Sequence, residues 1–373
     1  MPLPGCRVSG APVRPKAVRA RPPAAAEPSL LPPEHARSPT VFDVAREVGC
    51  SIATVSRALN KPQVVSPIVR ARVLEVIARL GYVPNGSARA LRLSKSRLIG
   101  AIIPTLNHAI YARMIESMRN RLAETGVSLL HDTIGYDLDL ELQQTRLLVE
   151  KGVEGILLVG THHRAETLEL LRDRDIPFVA TYGTAVGTDI PFIGFDNRKA
   201  GAMAARYLID LGHRHLAMIA GITKDNDRAA ERVEGFLETA EEVGIKRANI
   251  MVVEAPYRMD SGQAALRFIL DSQKRTTAVF CASDVLAVGA MKEARDRGLA
   301  VPEDLSFVGF DNLEIAEYLA PALTTIEIPA QAMGERSADY FLAAPDRRRL
   351  YARTELETRL ILRGTTAPPK GRR

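Results

Sequence analysis

The sequence contains no tryptophan in 373 residues, and aromatics make up only 5% of it. Any ring stacking on a ligand must therefore come from its nine tyrosines or ten phenylalanines. Three cysteines, Cys6, Cys50 and Cys281, lie far apart, which excludes a disulfide framework and any thiolate metal site of recognisable spacing. No apolar run reaches the roughly 18 residues of a membrane span, and no segment has the form of a secretory signal. Catalytic signatures are missing too: there is no nucleophile elbow, P-loop, HExxH or strand–GxGxxG–helix pattern. These absences predict a cytoplasmic protein that is not an enzyme, uses no metal or cofactor and stays off membranes.

What is present is ordinary in amount and uneven in placement. Apolar content of 46% and charged content of 25% suit a soluble globular chain, long enough for two or three domains. Net charge is +6. Residues 1–39 hold six Lys/Arg against two acids, and residues 40–97 hold ten against three, so the remainder is acidic. A basic front on an acidic body predicts that one end meets a polyanion. Ten of the 23 prolines fall in residues 1–39, which read as a disordered Pro/Arg/Ala-rich extension.

The stretch Thr40–Asn60, TVFDVAREVGCSIATVSRALN, reads as two short helices joined by a tight turn. Thr40 and Asp43 have capping-box spacing, Gly49 stops the first helix, and Ser51 caps the second. Val44, Ala45, Val48, Val55, Ala58 and Leu59 turn inward, while Ala53, Ser56, Arg57 and Asn60 turn outward. Ser66-Pro67 then starts a third helix, with Val69, Val73, Ile77 and Leu80 at helical spacing and Gly81 ending it. Arg57, Arg70 and Arg72 are left free for phosphates. Asn85 can cap one more short helix carrying Ala88 and Leu91 on one side, with Arg89 and Arg92 nearby; alone, such a helix is marginal.

From Leu98 the pattern changes. LIGAIIP, VSLLH, GILLVG, IPFVAT, HLAMIAG, TAVFCA and LSFVGFD are short apolar strands, and helical patterns at 110–125, 137–151, 198–211, 228–243 and 284–298 lie between most of them. Such alternation predicts parallel sheets covered on both faces, and so many strands predict two lobes. Ligands bind beyond the carboxyl ends of strands in such sheets. The loops there offer Asn107, His162, Asp196, Arg232, Tyr257, Ser283, Asp284 and Asp311. Carboxylates and an arginine that each bind two hydroxyls, beside an aromatic face, suit a sugar. Bland readings stand beside these. Asp196 and Asp284 could cap the helices that follow, Tyr257 could be core, and Arg232 could be a solvated charge. His213 and His215 sit at a strand entrance, where a structural role is the better reading.

Taken together, TVFDVA, Gly49-Cys50-Ser51, ATVSRALN, the hinge pattern P-N-x-x-A-R-x-L and the body stretches IGFDNRKAGAMAARYLIDLGHRHLAMIAG, RVEGF and ASDVLAVGAMKEARDRGLAVPEDLSFVGFDN resemble the LacI/GalR family of transcription regulators. The resemblance covers about residues 40–365. It implies an α/β protein with an N-terminal three-helix helix-turn-helix headpiece (40–84), a hinge helix (85–97) and a two-lobed effector domain like periplasmic binding proteins (98–365), followed by a basic tail (366–373). It also implies three crossings between the lobes.

Under this resemblance the second helix enters the major groove, with Ile52, Ala53 and Arg57 at the base-reading positions and Thr54 and Ser56 on phosphates. Ile52 could equally be partly core. Thr40, Ser51 and Asn60 complete the headpiece's DNA-facing set, and Asn85, Ala88, Arg89 and Leu91 that of the hinge. Leu91 takes the place of the leucine that, paired with its twin, wedges into the minor groove. The effector contacts of the family fall on Asp196, Arg232, Tyr257 and Asp311. Two departures, Ser283 where many members have asparagine and Ile328 where some have glutamine, leave the effector open. A sugar or sugar acid is expected ahead of a nucleobase.

The expected function is thus a homodimeric repressor on a palindromic operator, controlled by a small molecule. The competing class is the solute-binding protein of a sugar transporter, which would need an export signal and has no use for a basic headpiece.

Overall fold

The computed structural model describes residues 38–83, 95–273 and 275–370. The chain divides into two compact units, residues 1–84 and 85–373.

In the first unit α1 spans Val41–Val48, α2 Ile52–Asn60 and α3 Pro67–Leu80. Local chemistry sets each boundary. The Asp43 carboxylate accepts from the Thr40 backbone N–H at 2.9 Å and from its hydroxyl at 2.7 Å. Gly49 ends α1 at φ 75°, where a side chain would be strained, and its N–H returns to the carbonyls of Ala45 and Arg46. Ser51 caps α2 by accepting from Thr54 N–H at 3.1 Å. Ser66 and Pro67 open α3. Val44, Ala45 and Val48 pack on Val55 and Ala58 of α2 and on Val73 and Val76 of α3. Val69, Ile77, Leu80 and Leu59 sit around that core only partly buried. The hinge residues Asn85, Ala88, Arg89 and Leu91 lie outside the described residues.

The second unit holds two six-stranded sheets. The first lobe is built from β1 (Leu98–Ile103), α4 (Ala109–Ala123), β2 (Ser128–Thr133), α5 (Leu138–Glu150), β3 (Ile156–Val159), α6 (Ala165–Asp173), β4 (Phe178–Thr181) and β5 (Phe192–Gly194). The second contains α7 (Asn197–Asp210), β6 (Leu216–Ala220), α8 (Asp227–Glu242), β7 (Met251–Glu254), α9 (Met259–Ser272), β8 (Ala278–Cys281), α10 (Asp284–Asp296), β9 (Ser306–Asp311), α11 (Glu314–Tyr318) and β10 (Thr325–Glu327). The chain then returns to the first lobe for α12 (Ala330–Leu342) and β11 (Arg353–Glu355), and ends in the second with β12 (Arg359–Ile361). It therefore crosses three times: after β5, after β10 and after β11.

The strand orders are β11-β5-β4-β3-β1-β2 and β12-β10-β9-β8-β6-β7, parallel throughout except for β12, which runs antiparallel on β10. Because the strands run parallel, the loops at their carboxyl ends gather at one edge of each sheet. A chain of rings joins the lobes through the first crossing: Tyr111–Tyr182 at 5.0 Å, Tyr182–Phe195 at 6.3 Å, Phe195–Phe310 at 6.1 Å and Phe310–Phe280 at 6.5 Å between centroids. His213 is buried, with Nδ1 on the Thr277 hydroxyl and Nε2 on the Ala367 carbonyl, each at 2.9 Å, so it fastens the C-terminal segment to the sheet.

Candidate functional site

On the headpiece, the amino end of α2 presents Ser51, Ile52, Ala53 and Arg57 to solvent. Ile52 is 38% exposed and so stands outside the core. No acid occupies the first turn of α2, so the positive end of its helix dipole is left open to an anion. Arg57 makes no ion pair among the described residues, while the Asn60 amide is turned back onto the Ser56 carbonyl at 2.8 Å. Thr40 is taken up by the capping box of α1 and Ser51 by the cap of α2. Arg70 and Arg72 are exposed on α3.

In the second unit the strand-end loops enclose a cleft between the lobes. Its first-lobe wall is aromatic. Tyr111 lies edge-on to Tyr182, whose hydroxyl donates to the Ile110 carbonyl at 2.7 Å, and Tyr136 and His108 complete the wall. Burial raises the titration of all three tyrosine hydroxyls and lowers that of His108, so this wall is uncharged at neutral pH.

The second-lobe wall carries the charge. The α8 residues Arg228 and Arg232 stand one turn apart and are both buried. Arg228 donates to Asp227 at 2.7 Å and reaches across to the Val159 carbonyl of the first lobe at 3.2 Å. Asp227 also crosses: its other oxygen accepts from the Thr161 N–H at 2.6 Å and hydroxyl at 2.8 Å. Burial works against the Asp227 charge, but Arg228 and the two Thr161 donors outweigh it and hold the carboxyl below its ordinary range. Arg232 donates to Asn197 at 2.5 Å and to the Tyr257 hydroxyl at 3.1 Å, with its face 4.4 Å from the Phe310 centroid.

Ser283 donates to Asp311 at 3.0 Å. Behind them Asp284 accepts from the Thr325 hydroxyl at 2.5 Å and the Leu313 N–H at 2.7 Å. Burial pushes Asp284 up to about 6, and burial with the neighbouring Asp284 charge pushes Asp311 well above the carboxylate range. Three wall residues adopt left-handed backbone, Tyr136 at φ 68°, Tyr182 at 62° and Asp311 at 109°. Tyrosine side chains tolerate that conformation poorly, whereas aspartate adopts it more readily.

The inner cavity is about 30 Å³, room for about a water molecule, whereas a benzene-sized guest needs about 150 Å³. Past His108 and Tyr257 it opens into a mouth of about 770 Å³ bordered by Asp137, Lys224 and Arg258. The cleft is shut.

Of the residues expected from the sequence, Arg232, Tyr257, Ser283 and Asp311 meet in the cleft, and Ile328 joins them. Asn107, His162 and Asp196 do not line it. Asp196 caps α7, accepting from Lys199 N–H at 2.9 Å, so its carboxylate is committed to the backbone. Asn107 and His162 are exposed, and their neighbours are turned inward instead: His108 to the cleft, and His163 to the Glu141 carboxylate at 3.0 Å. Sequence reasoning missed Tyr111, Tyr136, Tyr182 and Arg228. Tyr182 directly follows β4, and Tyr136 follows β2 by three residues, so the strand-end rule applied more strictly would have found both.

Comparison with known proteins agrees with this architecture. Residues 40–85 match the family described as "Bacterial regulatory proteins, lacI family", and residues 205–366 match the "Periplasmic binding protein-like domain". Catabolite control protein A of Priestia megaterium is 33% identical over 295 residues, 79% of this chain and 89% of that protein. The HTH-type transcriptional repressor PurR of Proteus mirabilis (strain HI4320) is 34% identical over 331 residues, 88% of this chain and 97% of the repressor. The crystal structure of the lac repressor dimer bound to operator and the anti-inducer ONPF superposes with a TM-score of 0.80 at 26% identity, covering 89% of this chain and 100% of that one. With a helix-turn-helix headpiece ahead of a two-lobed body that closes around a cleft, the chain belongs to the lacI family of DNA-binding, effector-responsive transcription regulators, which are not enzymes.

Proposed function

We propose that this chain is a repressor that binds a palindromic operator as a homodimer, and that a sugar or sugar acid held in the cleft sets its grip on DNA. The observation that carries the effector half is the pairing of two walls. Hydrogen-bonding side chains on one lobe face tyrosine rings on the other, which suits a polyol with polar edges and an apolar face. On the DNA side, Arg57 reads a guanine edge, Ile52 and Ala53 contact thymine methyls, and Thr54 and Ser56 hold phosphates. Thr40, Ser51 and Asn60 border that surface. Residues 40–84 act as the reading head and 85–97 as the hinge, where Asn85, Ala88, Arg89 and Leu91 engage the minor groove. The body, 98–365, holds effector and partner subunit. None of the described helices is long and apolar enough to cross a membrane, in keeping with work on cytoplasmic DNA.

Whatever factor the effector applies to operator affinity, operator must apply to effector affinity. Selection of DNA from a random pool by the purified full chain, followed by fluorescence anisotropy, tests the reading. An inverted repeat is expected to emerge. Arg57→Ala should cut the preference for it over random DNA by about 1–3 kcal/mol. Equal binding of all sequences by the unaltered chain would refute the operator reading.

A further inference from the structure

The contact between the lobes at Asp227 passes through a single peptide group. The Thr161 N–H donates to the Asp227 carboxylate at 2.6 Å. The carbonyl of that same peptide plane, belonging to Gly160, points the opposite way and meets Nε2 of His163 at 3.1 Å. The other ring nitrogen, Nδ1, lies 3.0 Å from both oxygens of Glu141. Carboxylate, imidazole, peptide and carboxylate thus stand in line from α5 of the first lobe to α8 of the second. The last step requires glycine at 160, which sits at φ 93° and where a Cβ would come within 1.9 Å of Arg228 and 2.8 Å of Asp227.

Counting hydrogens defines the state of this line. The side chains of His163 and Glu141 are 0% and 2% exposed, so the contacts are made in a dry interior. A carbonyl oxygen only accepts, an ionised carboxylate only accepts, and a neutral imidazole has one N–H to give. With Glu141 ionised, Nδ1 carries that hydrogen, and a neutral ring turns a bare Nε2 lone pair onto the Gly160 oxygen. Both contacts are satisfied only when the pair holds one further proton, so that Nε2–H donates to Gly160. A donor at a peptide oxygen polarises the amide and strengthens its N–H in turn. His163 therefore bears on Asp227 without touching it. The other charges around the ring are committed: Arg164 at the head of α6 pairs with Asp139 and Glu166, and Asp227 with Arg228. His162 is exposed.

We propose that His163 is a positioning residue for lobe closure: its proton, held against Glu141, sets the Gly160–Thr161 peptide to grip Asp227. Closure and proton binding then favour each other, and the grip between the lobes weakens as pH rises and the proton leaves. This holds whichever effector the cleft takes.

The test is hydrogen–deuterium exchange on the full chain, read by mass spectrometry at the Thr161 amide, with the Ile156–Val159 amides of β3 as internal standard. Each rate is divided by the intrinsic rate at its pH. In the unaltered chain, Thr161 protection should fall on the order of tenfold between about pH 5.5 and about pH 8.5, a range that spans ordinary histidine titration, while β3 stays constant. His163→Phe, which offers no donor, should be low at both ends. Glu141→Gln should stay high at both ends, because its amide can donate to Nδ1 and leave a neutral ring with its hydrogen on Nε2. A pair that only supports the fold would instead make Thr161 and β3 lose protection together. That result overturns the proposal, as do Thr161 protection flat with pH in the unaltered chain, E141Q as pH-dependent as the unaltered chain, or H163F keeping the low-pH protection. Should H163F not fold, the other two arms decide.

Discussion

The two walls of the cleft are made of different materials. The first lobe contributes tyrosines and a histidine held neutral, the second two guanidiniums and the Asp311 carboxyl beside the rings of Tyr257 and Phe310. The lobe with directional, charged contacts can define a ligand's orientation before the cleft closes, and the aromatic lobe then adds buried area with little angular demand. The same difference governs cost. Charge in a dry wall must be balanced residue by residue, whereas a ring needs only a neighbour of the right shape. Stability should therefore be far more sensitive to single changes in the charged wall.

The largest effect is expected at Arg228. Its removal by Arg228→Ala leaves Asp227 buried against Thr161 without its cation and breaks the bond to Val159. Calorimetric unfolding should show a loss of about 3–5 kcal/mol. A loss under about 1 kcal/mol would mean the pair is effectively solvated and the contrast between the walls is false.

Next comes pH. Asp284, held at about 6 against an ordinary value near 3.8, binds its proton more tightly folded than unfolded. Its contribution therefore falls as pH rises from about 4 to about 6, by on the order of 3 kcal/mol in all. His108, pushed below 6.5 by burial, has the opposite sign: the unfolded chain takes up the proton first, so stability is lost as pH falls below 6.5. Denaturant midpoints across this range should show a shallower downward slope in Asp284→Asn, with the part owed to Asp311 remaining, and should lose the upward one in His108→Phe. Slopes of the same sign would erase the distinction.

The smallest effect belongs to the aromatic wall. Tyr182→Phe deletes only the hydroxyl bonded to the Ile110 carbonyl, for about 1 kcal/mol. A cost matching that of Arg228→Ala would show that the rings carry as much polar strain as the charges.

Legibility followed the range of the interactions. The headpiece could be read almost residue by residue, because Thr40, Gly49, Ser51, Pro67 and Gly81 act within a turn or two of their own position. In the body the seven apolar runs became strands, but β5, β10, β11 and β12 are three residues each, too short for any periodicity to show. They are strands because a neighbour across the sheet pairs with them. The cleft was half legible. Arg232, Tyr257, Ser283 and Asp311 carried both a strand-end position and a family resemblance. Tyr136 and Tyr182 were lost because a tyrosine beside an apolar strand looks like core, and Tyr111 because it lies in the first turn of α4. Asp196 shows the converse error: a carboxylate at a helix start has two possible employments, and the backbone of α7 claimed it.

One feature bears on time as well as on affinity. The bonds from Asp227 to Thr161 and from Arg228 to Val159 run between the lobes and belong to the chain itself, so they hold the two walls of the cleft together. A guest larger than the inner cavity of about 30 Å³ can settle there only if these bonds give way. Were they to favour the shut state by about 3 kcal/mol, roughly one molecule in 150 would stand open at any instant, and both arrival and departure would slow by that factor. On that supposition the clasp would act as a clock, releasing a bound guest only as often as Thr161 lets go of Asp227.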